Sequence, residues 1–247
     1  MRTANPALND KTFQELPQVM SGTEGMTIQG SVNKTGVLLL LVVVGAAWTW
    51  NLFYTAESPE VLWPWLIGGA LGGFVVALIT VFKKTWAPLT GPLYAVLQGL
   101  VLGGISAIME MQFEGIVIQA VALTFGTLLC LLAAYTTRLI KVTENFRLGV
   151  VAATGGIALV YVATMILGFF GISMPYIHES GIIGIGFSVF VVIIAALNLV
   201  LDFDFIEKGA EAGAPKYMEW YAAFGLTVTL IWLYLEILRL LAKSRSR

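Results

Sequence analysis

"NLVLDFDFIEKGAEAG", Asn198–Gly213, stands at the end of a long apolar run, and how it is read decides the fold. The run before it, Ile182–Leu201, carries no charged side chain. About twenty mostly apolar residues are what a helix needs to cross the hydrocarbon core of a bilayer. Asp202 and Asp204 follow one residue apart, where such a helix would meet water. Either both acids are the wet edge of a membrane helix, or one of them is held inside.

The rest of the chain follows the same pattern. Of its 247 residues 58% are hydrophobic and 12% charged, with a mean hydropathy of +0.86. Soluble domains carry about 25% charged residues, so this composition is that of an integral membrane protein in a lipid bilayer. A net charge of −1 offers no basic surface to a nucleic acid. The one cysteine, Cys130, excludes an intramolecular disulfide and a Cys-based metal site. It lies in "TLLCLLAAY" and reads as a small buried hydrophobe. His178, also alone, reads as a loop imidazole in "SMPYIHESG".

Seven segments are apolar enough to cross: about Gly36–Tyr54, Leu62–Phe82, Leu93–Met109, Gly115–Thr136, Leu148–Gly171, Ile182–Leu201 and Trp220–Leu241. Trp48, Trp50, Trp63, Trp65, Trp86, Trp220 and Tyr221 gather near segment ends, where amphipathic rings prefer the interface. "IGGALGGF" and "GLVLGGISA" repeat glycine at helical spacing, which lets backbones approach. No strand precedes these glycines, so they are not a dinucleotide loop.

Residues 1–35 are polar and mixed in charge, and lack the apolar core and cleavage site of a signal peptide. They are expected to form a cytosolic tail, ahead of a seven-helix domain over 36–242 and a basic end at 243–247. The connections alternate in sign. "TAESPEVLW", "EMQFEG" and "SMPYIHESG" hold no Lys or Arg, whereas "KKTW", "RLIKVTENFR" and "DFDFIEKGAEAGAPKYME" do. The excess of positive charge marks the cytosolic side and puts the N-terminus there. "RLLAKSRSR" at the C-terminus disagrees. Either the last segment crosses despite that charge, or it does not fully cross.

Helical rotation of about 100° per residue separates the two acids of the opening stretch. Asp202 shares its face with Gly184, Ser188, Ala195 and Asn198, which are small or polar. Asp204 shares one with Phe190, Ile193, Leu197 and Val200, which suit lipid. Asp202 is therefore expected inside, and Asp204 at the water boundary. Glu236 interrupts the last segment on a face with Ala222, Gly225, Thr229 and Trp232. A charged group at the bilayer centre costs roughly 2.5–3.5 kcal/mol and usually turns inward to a partner. The alternative is that Glu236 marks the far end of the segment and forms a helix-surface ion pair with Arg239 at i+3.

"LVLDFDFIEKG" followed by "EWYAAFGLTVTLIWLYLEILRLL" resembles the C-terminal signature of the Bax inhibitor-1 family, the transmembrane Bax-inhibitor-motif proteins. "MTIQGSVNKTGVLLLL" and "APLTGPLYAVLQGLVLGGISA" resemble the patterns of its long-tailed bacterial branch. The resemblance implies an all-α integral membrane fold, a seven-transmembrane-helix bundle with the last helix central. It implies a pH-sensitive calcium leak through a bacterial inner membrane, in which two acids share a proton and gate the path. By motif these acids match Asp202 and Glu236. The family's better-described pair is two aspartates, so Glu236 is a departure. Lys83 and Lys84 are the candidates for a basic latch, and Gln98 stands where the branch often has an acid. Two close carboxylates titrate as a unit, and calcium favours oxygen ligands, of which Asn198 is a possible third.

The leading expectation is a non-enzymatic cation channel or transporter with no tightly bound cofactor and Ca2+ as its transported ion. The alternative is an interaction protein that modulates a membrane-bound protease through its tail. An intramembrane aspartyl protease also needs two carboxylates, but the "G-x-G-D" element it uses is absent before Glu236. Ser–His chemistry lacks a motif around the lone His178.

Overall fold

The computed structural model describes residues 25–56, 59–170 and 181–246. His178 and the tail through Glu24 lie outside the described residues. All seven expected crossings are helices: α1 (Ile28–Thr55), α2 (Trp63–Phe82), α3 (Ala87–Gln112), α4 (Ile116–Thr136), α5 (Glu144–Phe169), α6 (Ile182–Glu211) and α7 (Met218–Arg245). Each is long and apolar enough to span a membrane. Among the described residues there is no strand, only an isolated bridge between Gly25 and Pro215. The last helix is the most enclosed of the seven, with 61% of its apolar window buried against 11% for α5.

The helices begin and end where local chemistry directs. Thr27 caps α1 by accepting from the Gly30 amide at 2.9 Å, and Thr143 caps α5 by accepting from the Phe146 amide at 3.2 Å. Pro64 and Pro88 sit in the first turns of α2 and α3, where a missing N–H costs nothing. α6 closes with the Ala214 amide on the Gly209 carbonyl at 3.1 Å and the Gly213 amide on Ala210 at 3.2 Å. This closure needs a left-handed residue, which Gly213 supplies at φ +63°. Several helices outrun their apolar cores. α1 starts at Ile28 rather than Gly36, and α6 continues through its two aspartates to Glu211.

The chain forms two packed units that each take part of α6 and of α7. In the one built from Lys11–Glu114 and Phe205–Val228, α3 packs against both α1 and α2. The α1–α3 crossing is so tight that a Cβ on Gly45 would lie 2.8 Å from the Val96 carbonyl oxygen. Gly99 faces the Val42 backbone in the same way. Thr49 adds a 2.9 Å bond from its hydroxyl to the Leu100 carbonyl, and Thr80 and Thr90 join α2 to α3 at 2.7 Å.

The other unit comprises Gly115–Asp204 and Thr229–Arg247. Here α4 buries only a narrow stripe, Ile116, Ala120, Thr124 and Tyr135. Cys130 lies off that stripe and is exposed, which corrects the expectation of a buried thiol. The end of α7 is fixed as well. Lys243 Nζ donates to Ser188 Oγ at 2.9 Å and to the Gly184 carbonyl at 3.2 Å, and Arg245 Nη2 donates to Gln119 Oε1 at 2.9 Å. The C-terminal end is thus level with the starts of α4 and α6, which follow connections without Lys or Arg. The basic residues near the end of α7 are engaged by protein groups.

Candidate functional site

One stripe of α5 organises the polar interior of the second unit. Arg147, Val150, Thr154, Ile157 and Tyr161 recur every three or four residues, so they share a face. Arg147 Nη2 donates to Asp204 Oδ2 at 2.6 Å, with both side chains buried. Thr154 Oγ1 accepts from Asn198 Nδ2 at 2.8 Å. Ile157 packs with Val191 and Ile194, against which Trp232 also rests. Tyr161 OH donates to Glu236 Oε1 at 2.8 Å.

Asp202 is buried at 1% exposure, as its small and polar face predicts. Asp204 is buried too, at 8%, and this corrects its assignment to the water boundary. The apolar face named for it does point outward at Phe190 and Ile193. From Asn198 to Ile206, however, every residue of α6 is buried, so no face there remains for lipid. Arg147 then supplies the charge that makes burial of Asp204 tolerable.

Glu236 is turned inward well before the end of α7 at Arg245, so its pair with Arg239 is not one on the helix surface. It is 2% exposed, and it accepts from Arg239 Nη1 at 2.9 and 3.0 Å as well as from Tyr161. Two rulers place it relative to Asp202. The bonds of Lys243 to Gly184 and Ser188 set the register of α7 against α6, with Glu236 about level with Ile194. On α5, the levels of Asn198 and Glu236 are the levels of Thr154 and Tyr161, seven residues apart. Either way Asp202 and Glu236 are separated along the helix axes by roughly 10 Å or more, at 1.5 Å per residue. The structure gathers Asp202, Asn198 and Glu236 along one seam and places Asp202 and Glu236 at different depths. Asn198 spends its Nδ2 on Thr154 and on the Ile194 carbonyl, both at 2.8 Å, and these bonds leave its Oδ1 for a ligand.

In the unit containing α1–α3, a further buried acid escapes reasoning from sequence. Glu219, 0% exposed in the first turn of α7, accepts from the Thr27 amide at 2.9 Å and the Thr27 hydroxyl at 2.8 Å. Lys34 Nζ bonds its other oxygen and lies 5.6 Å over the Trp220 ring, and Lys216 stands at 3.4 Å. Gly30 admits the carboxylate, which occupies the space a Cβ would need. The Met26 amide donates to the Ala214 carbonyl at 2.6 Å beside it. A clue was present in "SVNKTGVLLLL": Lys34 falls inside a helix that its apolar core alone starts too late.

A family model described as Bax inhibitor 1 like matches residues 5–246, nearly the whole chain. The chain belongs to that family. Neither a curated protein nor a solved structure matches it. In this Bax inhibitor 1 like protein, the two lysines named as latch candidates lie over aromatic rings. Lys83 Nζ is 6.0 Å from the Trp86 centroid and Lys84 Nζ 5.9 Å from that of Tyr221. Among the described residues no three His, Cys, Asp or Glu side chains gather as a metal centre.

Proposed function

We propose that this protein lets cations, calcium among them, cross a bacterial inner membrane in a proton-sensitive way, with its N-terminus in the cytosol. One observation carries the reading: the file of buried polar and ionisable groups along α5, α6 and α7. It runs from Arg147–Asp204 and Asp202, past Asn198–Thr154, to Tyr161–Glu236–Arg239 and Lys243–Ser188. Ionisable groups within membrane spans are costly and mark ion paths and proton relays. Asp202 and Glu236 act here as successive acid positions rather than as one proton-sharing pair. Deprotonated Asp202 attracts the cation, Asn198 Oδ1 adds an oxygen, and protonation of Asp202 removes the attraction.

The test is calcium flux into proteoliposomes across a pH series spanning neutrality. Flux is expected to rise with pH and to lose that dependence in Asp202→Asn. Glu236→Gln is expected to change the rate. Flux indifferent to both substitutions ends this reading.

A second reading is favoured by the clamp at Glu219. The tail leaves the membrane domain bonded to the first turn of α7, where a partner such as a membrane-bound protease has a hold on that helix. Deleting residues 1–24 separates the two. Lost protease binding with intact flux supports the second reading.

A further inference from the structure

Arg239 is half-committed. Its Nη1 alone makes its bonds, to Tyr161 OH at 2.8 Å and to both oxygens of Glu236 at 2.9 and 3.0 Å. The guanidinium also stands 5.3 Å from the Tyr161 ring centroid. Its Nη2 and Nε edge makes no hydrogen bond among the described residues, and the side chain is 43% exposed. A planar cation is thus held in one orientation with a two-donor edge directed outward. Such a fork matches two oxygens of a phosphate.

Charge and depth name the ligand. Lys243 at i+4 and Arg245 accompany Arg239, against the single acid Glu236, so this end of the helix carries a cationic excess. α7 has 28 residues, about 42 Å, while the hydrocarbon core is about 30 Å. Arg239 lies six residues, about 9 Å, before the helix end at Arg245. In a centred helix its backbone is therefore within one turn of the hydrocarbon boundary, and a long cationic side chain reaches the headgroup phosphates from there. Exposed Val162, Met165 and Ile183, from the helices that bond this end of α7, offer apolar surface for acyl chains.

We propose that Arg239 holds the phosphate of an anionic phospholipid at the C-terminal end of α7, with Lys243 and Arg245 supplying the surrounding positive field. In the orientation proposed above this is the outer leaflet. The site itself rests only on the membrane fold, so its failure and that of cation conduction are read separately.

The experiment uses the full chain in detergent. Retention of phosphatidylglycerol by native mass spectrometry, and the shift in thermal midpoint on adding it, are compared with phosphatidylcholine and with inorganic phosphate. Phosphatidylglycerol is expected to be retained and to raise the midpoint, and phosphatidylcholine to do neither. Arg239→Lys keeps a charge beside Glu236 but loses the fork. It is expected to weaken retention at least about tenfold, the worth of one charge-assisted hydrogen bond. Tyr161→Phe removes an oriented partner and is expected to weaken it less. Retention unchanged in Arg239→Lys, or equal for the two lipids, overturns the proposal. Stabilisation by inorganic phosphate without lipid retention also overturns it, in favour of a free-anion site.

Discussion

A charge stranded in a low-dielectric interior is costly, and two ion pairs make that cost measurable here. Arg147–Asp204 has both partners buried, and Glu219 is fully enclosed beneath Lys34. Breaking a buried pair from one side costs about 3–5 kcal/mol. Asp204→Asn and Lys34→Met are each expected to lose about that much stability, read as a lowered unfolding midpoint in detergent. Arg147→Met combined with Asp204→Leu removes both charges and is expected to recover most of the loss. Glu236→Gln leaves Arg239 its exposed edge in which to find water, so its cost is expected to be smaller than that of Asp204→Asn. Asp204 also teaches why face reading fails locally. Rotation about a helix assumes that the same side meets lipid throughout. Phe190 and Ile193 obey that rule, but at Asn198–Ile206 the helix is enclosed all round.

Elements differ in how they were announced. Apolar cores identify all seven helices, because twenty uncharged residues have few other uses. Helix ends were less legible, since polar turns extend α1 and α6 once tertiary partners neutralise them: Lys34 by Glu219, Asp204 by Arg147. The glycine patterns were legible as contact rows, and the structure separates their two kinds. Gly69 meets the backbone of α3, whereas Gly68 meets open space. Gly99→Leu is therefore expected to cost well over the roughly 1–3 kcal/mol of ordinary overpacking, since it meets backbone rather than a movable side chain. Gly68→Leu is expected to be neutral within about 0.5 kcal/mol. Thermal unfolding of the two variants side by side checks both. Thr143→Ala, which loses the cap of α5, is expected to cost about 1 kcal/mol.

At the scale of the whole molecule, loop charges and the C-terminal charge gave opposing votes on topology. In the orientation proposed above the C-terminal charges are the exception, and there Arg239, Lys243 and Arg245 bond to Glu236, Ser188 and Gln119. Seven complete crossings put the termini on opposite sides. In a Cys130→Ala background, a cysteine at Ser246 is expected to react with a membrane-impermeant maleimide from outside intact cells, and one at Thr3 only after lysis. The depth of Glu236 relative to Asp202 was open from sequence, because it depends on the register of α7 against α6, which no local pattern encodes.

The bond between Lys34 and Glu219 also has a time in it. The two residues are 185 positions apart. At roughly 5–20 residues per second, the ribosome delivers the acid on the order of ten seconds or more after the base. During that interval α1 carries a lysine whose partner does not yet exist. α1 therefore cannot complete this contact until α7 has begun. Chains stalled before Met218 should leave Lys34 open to an amine-reactive probe, and chains released after α7 should protect it. Assembly of this part of the molecule is a circle that the final helix closes.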